Sequence, residues 1–591
     1  MKHALPLVAL WVCIVGVAAA CSASQKGSGS GGSGADATTD TGSTTTTGTG
    51  GAGTGGTGAG ATGAAGAGGS TTTGTTTSTT TGGPIDFGGG WQIPDAGSHP
   101  PLVGNGGTTV VIGPGADASS PGKFGGADNP SGKPTVVYPP DGAILPPNTN
   151  ALEIHFVPGA GQTLFELAFH APTNNLVVYT SCTPLAGGCV YTPAASFWNE
   201  IVAYARGTAP VTYTVRGVNG QSPGPVGTAQ ASIAFGEQDL NGGIYYWDTN
   251  GIVQRYDFGF PNAPPQQYLT GPEVGAFACV GCHVMSREGT RLAVGQDIPS
   301  PAPFKVYRTL TKAPLVANGQ PVGGSANFFS FSPDENYLLT SDGVSIRWLD
   351  LGTGLVAPAP VVASGTMPDW SPDGLHMVYA EPETPAFFAM PGVSSASIVS
   401  LHFNGVGWDT KTTLVPFAGQ NNYYPAYAPD GDWVVFNRSP SNSESFSNAA
   451  PDPQNGTVPD GELWAVSANG GAPVRLARGS DPGACSWPKW APVRHDYYGG
   501  QILWLTVASA RAYGLRLADG QKTQIWMMAF DPARAASAQD PSFPAFWLPF
   551  QSMTSGNHIA QWATTVPRKP CAVPADCDAG ETCVAGDCRP I

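Results

Sequence analysis

A chain of 591 residues has room for several domains, and glycine (81) with proline (56) approaches a quarter of it while only 11% of residues are charged. Such a composition predicts short strands and turns rather than long amphipathic helices. The net charge of -15, with no run of lysine and arginine anywhere, argues against nucleic acid or an anionic membrane surface as partner, because both demand a basic face.

Residues 1–20 carry Lys2 and then the apolar stretch A-L-P-L-V-A-L-W-V-C-I-V-G-V-A-A-A. A charged start, an apolar centre and small residues before a cut describe an export signal. The ending V-A-A-A-C resembles the lipobox of bacterial lipoproteins, although Ala18 stands where that family prefers leucine. The resemblance implies that Cys21 is lipidated, and Ser22 after it implies transport to the outer membrane. The alternative is an ordinary signal peptide cut nearby. No later segment reaches the ~18 consecutive apolar residues of a membrane span. The mature protein is therefore expected to be lipid-anchored, facing the periplasm or the cell surface.

Residues 22 to about 83 are almost purely Gly, Ser, Thr and Ala. Such a stretch buries too little apolar surface to offset its ordering entropy, so it reads as a flexible tether. The Pro- and Gly-rich continuation reads as an extension of that stalk, giving 21–133 as one region of little order.

From 134 to 235 short apolar stretches recur between turn clusters: T-V-V-Y, A-L-E-I-H-F, T-L-F-E-L-A-F, N-L-V-V-Y, E-I-V-A-Y-A and V-T-Y-T-V-R. About seven strands in a hundred residues predict an antiparallel β-sandwich of immunoglobulin or fibronectin type. Cys182 and Cys189 flank L-A-G-G and predict a local disulfide in an oxidising compartment. His155 and His170 fall within strands and read as structural.

Between 236 and 566 a unit repeats: F-S-P-D-E-N-Y-L-L-T from Phe331, W-S-P-D-G-L-H-M-V-Y from Trp370, Y-A-P-D-G-D-W-V-V-F from Tyr427, and a degenerate W-A-P-V-R from Trp490. Each copy is a strand, a Pro-Asp-Gly turn supplying positive φ, and a hairpin partner. No copy can bury its own faces, so the copies must stack around an axis. The pattern resembles the WD40-like repeat of TolB-type β-propellers, which implies an all-β propeller over about 330 residues. Leading strands near Met285, Phe331, Trp370, Tyr427 and Trp490 make five. The segment from Gly242 has two strands but no leading strand, and H-I-A-Q-W-A-T-T-V from His558 has the pattern to close the ring as a sixth blade.

On that frame M-S-R-E-G from Met285 aligns with W-S-P-D-G from Trp370, and His283 falls where other copies have Pro368, Pro425 and Pro488. His283 ends A-C-V-G-C-H, the C-x-x-C-H spacing of a c-type haem: Cys279 and Cys282 for thioether bonds, His283 for the proximal iron site. The haem signature thus leads into the innermost strand of a blade. It also resembles a bacterial group of exported propellers carrying C-x-x-C-H-x-x-S-x-D-G in one blade, where haem binding is inferred. The implied cofactor is one covalent haem c at the channel mouth, and the implied roles are electron transfer or redox sensing with an unknown partner. The distal candidates are His558, through ring closure, and Met367, before Pro368. Three other readings of the cysteine pair stay open: a redox disulfide, a zinc site lacking its fourth ligand, and a structural disulfide. The last belongs to a propeller that recognises a protein or polysaccharide partner without haem.

Met285, His376 and His402 read as structural, and Cys485 as a buried free thiol. The acidic loop from Ser439 to Glu462 lacks regular calcium spacing and reads as solvated. No H-E-x-x-H, G-x-S-x-G or Walker loop is present. A peroxidase-like haem with an open sixth position is the remaining enzymatic idea. In the tail, 567–591, Cys571, Cys577, Cys583 and Cys588 predict two disulfides of undetermined connectivity, with zinc as the rival.

Overall fold

The structure is a computed structural model that describes residues 85, 87, 90–94, 97 and 100–591, except 220–225, 276–279, 297–300, 384–392, 440–460, 484 and 579. The export signal with Cys21, the tether, Cys279 and most of the acidic loop lie outside the described residues. Strands dominate, and no described helix is long and apolar enough to cross a membrane.

The first region is two sheets. Six strands run, neighbour to neighbour, Thr108–Ile112, Asn175–Ser181, Leu164–His170, Val211–Val218, Gly227–Phe235 and Ala143–Leu145. The two outermost pairings are parallel and the inner ones antiparallel. The second sheet orders Thr135–Tyr138, Ile154–Val157, Gly188–Tyr191 and Thr183–Leu185. Its last hairpin carries the Cys182–Cys189 disulfide.

Two expectations change here. The segment read as the strand E-I-V-A-Y-A is part of a helix, Ala195–Ala205. Its buried residues Phe197, Trp198, Ile201, Val202 and Ala205 follow a helical period of about 3.6, which the strand reading missed. The stalk reading also extends too far: T-T-V-V-I at Thr108–Ile112 is β-branched and pairs with Asn175–Tyr179.

Among the described residues six antiparallel sheets follow, in chain order, and we number them by their innermost strands. The second begins with Val280–Met285, the third with Phe328–Phe331, the fourth with Thr366–Trp370, the fifth with Asn421–Tyr427 and the sixth with Cys485–Tyr497. The first consists of Gly243–Asp248, Ile252–Asp257 and Gln266–Leu269, and its remaining strand is Asn557–Ala563 from the far end of the chain. Gly243 pairs with Ala563 and Trp247 with His558, so the end of the chain zips onto the start of the array. Pairing of this kind, with no strand left to lead the first sheet except the last one, is the β-propeller class.

One apolar core runs from the first region into the array, from Phe156, Phe165 and Trp198 to Trp504, Trp526 and Trp547. At this junction Glu153 accepts from Arg516 at 2.9 and 2.6 Å, lies 3.0 Å from Nε2 of the buried His155, and accepts from the Tyr513 hydroxyl at 3.2 Å. The tail holds disulfides Cys571–Cys583 and Cys577–Cys588 around the hairpin Glu581–Val584 and Asp587–Pro590. It is clasped to the first sheet by Arg255 on Glu581 and by Arg568 on Asp257.

Candidate functional site

The innermost strands of the second, fourth, fifth and sixth sheets share a defect. Pairing slips between Val280 and His283, Thr366 and Asp369, Tyr423 and Ala426, and Ser486 and Lys489. A slip of this type is a β-bulge, which bends a strand and re-aims a side chain. Met367, Tyr424 and Trp487 occupy it with φ of 56°, 49° and 54°, and Ile559 has 53° on the closing strand. Proline tolerates a position that leaves the ladder, which explains Pro368, Pro425 and Pro488 one residue on. Cys282 and His283 stand at the corresponding places of the second sheet. The third sheet runs through without a slip, with Phe328 opposite Ser341.

The bulges bring these residues around one cavity. Cys282, His283, Phe328, Met367, Tyr424 and Trp487 line it, with Lys489 and Gln561 among its polar groups. Trp487 stacks on Tyr424 with ring centres 4.0 Å apart, and Phe328 lies 6.1 Å from both. The rings close the channel from several sides, leaving a cavity of about 50 Å³. That is room for one or two waters.

His283 is 3% exposed. Its Nε2 lies 3.2 Å from the carbonyl oxygen of Tyr245 in the first sheet, which fixes Nε2–H as donor. Nδ1 is buried and finds no partner among the described residues. Burial pulls the His283 pKa down to about 4, so the ring is neutral at pH 7 and Nδ1 carries a lone pair. Cys282 is half-buried and not in a disulfide, and burial pushes its thiol up to about 11. Cys282 packs on the apolar layer between the second and third sheets, whereas His283 faces the first. Neighbours along a strand diverge in this way. Met367 sits in the same cavity, its Sδ accepting from the Tyr424 amide at 3.4 Å.

The structure therefore brings Cys282, His283 and Met367 together. His558 it does not: its ring packs on Trp247 at 5.6 Å, outside the cavity that its strand neighbours Ile559 and Gln561 line. Burial lowers its pKa to about 4 as well. Met285 is buried in core, and Cys485 is a buried free thiol with the Arg511 guanidinium 2.6 Å from its Sγ. In the tail, Cys571, Cys577 and Cys588 cluster as a metal site would, but each sulfur is already in a disulfide. His376 and His402, read from their pattern as structural, face each other across strands of the fourth sheet.

No protein-family model matches the chain, and no curated protein matches it. Among solved structures it is similar to a protein described as TolB from Agrobacterium tumefaciens, at 17% identity and a TM-score of 0.29, over 49% of this chain and 85% of that one. An oligogalacturonate lyase in complex with manganese matches at 14% identity and 0.28, over 52% and 75%. Hydrazine synthase of Kuenenia stuttgartiensis matches at 11% and 0.25, over 46% and 96%. Scores this low carry no argument about this chain. Its propeller class rests on its own strand pairing.

Do these residues fit a c-type haem? In kind they do. The motif supplies a thiol beside the channel, a neutral imidazole with an unpartnered buried nitrogen, a thioether in the same cavity, and aromatic rings of the sort that porphyrins lie against. A porphyrin is far larger than the cavity, which could not enclose one.

Proposed function

We propose that this protein is an exported lipoprotein, anchored to the outer membrane through Cys21, in which a sandwich of immunoglobulin or fibronectin type precedes a six-bladed TolB-like propeller. It carries one haem c across the channel mouth, held by thioethers to Cys279 and Cys282 with His283 toward the iron. The group supplies a one-electron couple, for electron transfer or redox sensing. The observation that supports this reading is the meeting of Cys282, His283 and Met367 at one cavity. Tyr245 orients the imbidazole of His283 through its carbonyl, as outer partners of metal-bound histidines do. Met367, which shares the cavity with His283, would be the second protein ligand in place of His558, and a thioether there would raise the potential.

The test is the absorbance of protein made alongside a haem-ligation system. A reduced α-band that survives acid-acetone extraction, and is lost in Cys282→Ala, supports the reading. Colourless protein ends it.

A second reading has an observation of its own. Cys282 and His283 leave their strand toward different sheets, and the cavity is closed by rings. That favours a propeller that recognises a protein or polysaccharide without any haem. The same spectrum separates the two.

A further inference from the structure

His376 and His402 are the described histidines outside the channel that stand directly opposite each other, on neighbouring strands His376–Pro382 and Ala396–Phe403 of the fourth sheet. Both side chains reach solvent, at 40% and 37% exposure. Their ring centres lie 5.1 Å apart. Each ring has a carboxylate at Nδ1: Asp409 at 2.8 Å from His402, and Asp373 at 3.9 Å from His376. Asp409 is itself held by Asn404, which donates to its second oxygen at 2.9 Å.

We infer that this pair is a surface site for one divalent transition-metal ion of the zinc, copper or nickel class. The hydrogen bond from His402 Nδ1 to Asp409 favours the tautomer with hydrogen there, which leaves the lone pair on Nε2, and Asp373 near His376 Nδ1 acts in the same direction through its charge. A carboxylate behind the imidazole is the usual outer partner of a metal-bound histidine. The spacing agrees. Metal–nitrogen bonds of about 2.0–2.1 Å put each ring centre about 3.2 Å from the ion, and two rings at a tetrahedral angle then have centres about 5.2 Å apart. Imidazole nitrogen selects zinc, copper and nickel over magnesium and calcium, which take oxygen. Two protein ligands leave the remaining positions to water.

The probe is copper(II) or nickel(II) chloride alone, titrated calorimetrically into the full mature chain without a histidine tag. Cys279→Ser and Cys282→Ser are built in, so that the channel thiols cannot compete. One equivalent with a micromolar Kd is expected. His376→Ala and His402→Ala should each weaken binding at least tenfold, and Asp409→Asn several-fold. His170→Ala, an exposed histidine paired to Asn175, should change nothing. Calcium should give no heat. All these side chains are on the surface, and circular dichroism checks that each variant folds. Absence of saturable binding, or binding that survives His376→Ala with His402→Ala, overturns the inference. Because the thioether cysteines are already replaced and no haem is attached, neither outcome bears on the haem reading.

Discussion

At position 282 a thiol sits beside a channel, yet its surroundings hold it protonated. An ordinary cysteine has a pKa of about 8.5, and burial pushes Cys282 up to about 11. The direction is that of a neutral form favoured by low dielectric. In haem-free mature protein with Cys21→Ser and Cys279→Ser, Cys282 should therefore react with a maleimide at pH 7.5 about a hundredfold more slowly than glutathione. Unfolding in urea should restore the ordinary rate, and the folded rate should keep rising with pH to about 11. A fast-labelling folded thiol would contradict the burial described. Two turn glycines make a sharper comparison. Gly374 and Gly431 have φ of +78° and +79° in equivalent turns. A Cβ on Gly374 would collide with the Phe87 ring, whereas on Gly431 its nearest neighbour is Pro372 at 3.8 Å. Alanine costs about 1–2 kcal/mol at either site for the left-handed backbone. Overpacking adds about 1–3 kcal/mol at Gly374 alone. Gly374→Ala should thus melt well below Gly431→Ala in differential scanning calorimetry.

Among the elements, the loop Ala510–Thr523 between two strands of the sixth sheet joins the two regions by placing Tyr513 and Arg516 against Glu153. Burial opposes ionisation of Glu153, but hydrogen bonds from His155 and Arg516 outweigh it and hold the carboxyl well below the usual range. A depressed carboxyl stabilises the fold above the unfolded pKa of about 4.3, and that contribution is lost as pH falls through the folded value. Glu153→Gln should cost about 2 kcal/mol at pH 7, the scale of a hydrogen bond to a charge. The gap between the variant and the parent in chemical denaturation should shrink at pH 3. An unchanged gap would locate the stabilisation elsewhere. None of this junction is legible in the sequence, since Glu153 and Arg516 lie 363 positions apart. The leading strands are legible because the S-P-D-G turn repeats, and the same frame puts His283 level with Pro368, Pro425 and Pro488. What the frame leaves out is orientation: the bulges turn Tyr424 and Trp487 inward, where Phe328 from the regular third sheet meets them. The His376–His402 pairing depends on cross-strand register, which no local pattern fixes. The helix Ala195–Ala205 hid behind β-branched residues that serve either period.

Across the whole molecule, composition places the end of the tether near residue 133, but packing places it earlier. Phe87 is buried between sheets of the propeller, its ring 5.6 Å from Trp370, 5.8 Å from Phe403 and 6.4 Å from Tyr337. The Trp91 amide donates to the Pro372 carbonyl at 2.7 Å, and the Arg287 guanidinium lies 5.8 Å over the Trp91 ring. These contacts are at the turn end of the fourth sheet, the opposite end of its inner strand from Met367. In the first region, the Leu102 amide bonds the Ala203 carbonyl of the helix. A segment that touches both regions acts as a strap, and its loss should be felt by both. Phe87→Ala removes a buried ring and should cost about 3 kcal/mol. A chain starting at residue 108 should lose at least as much relative to one starting at residue 84, and should also expose Trp370 to added quencher. If the shorter chain melts at the same temperature, the packing of Phe87 and Trp91 contributes nothing to the fold, and the ordered part begins at the strand Thr108–Ile112.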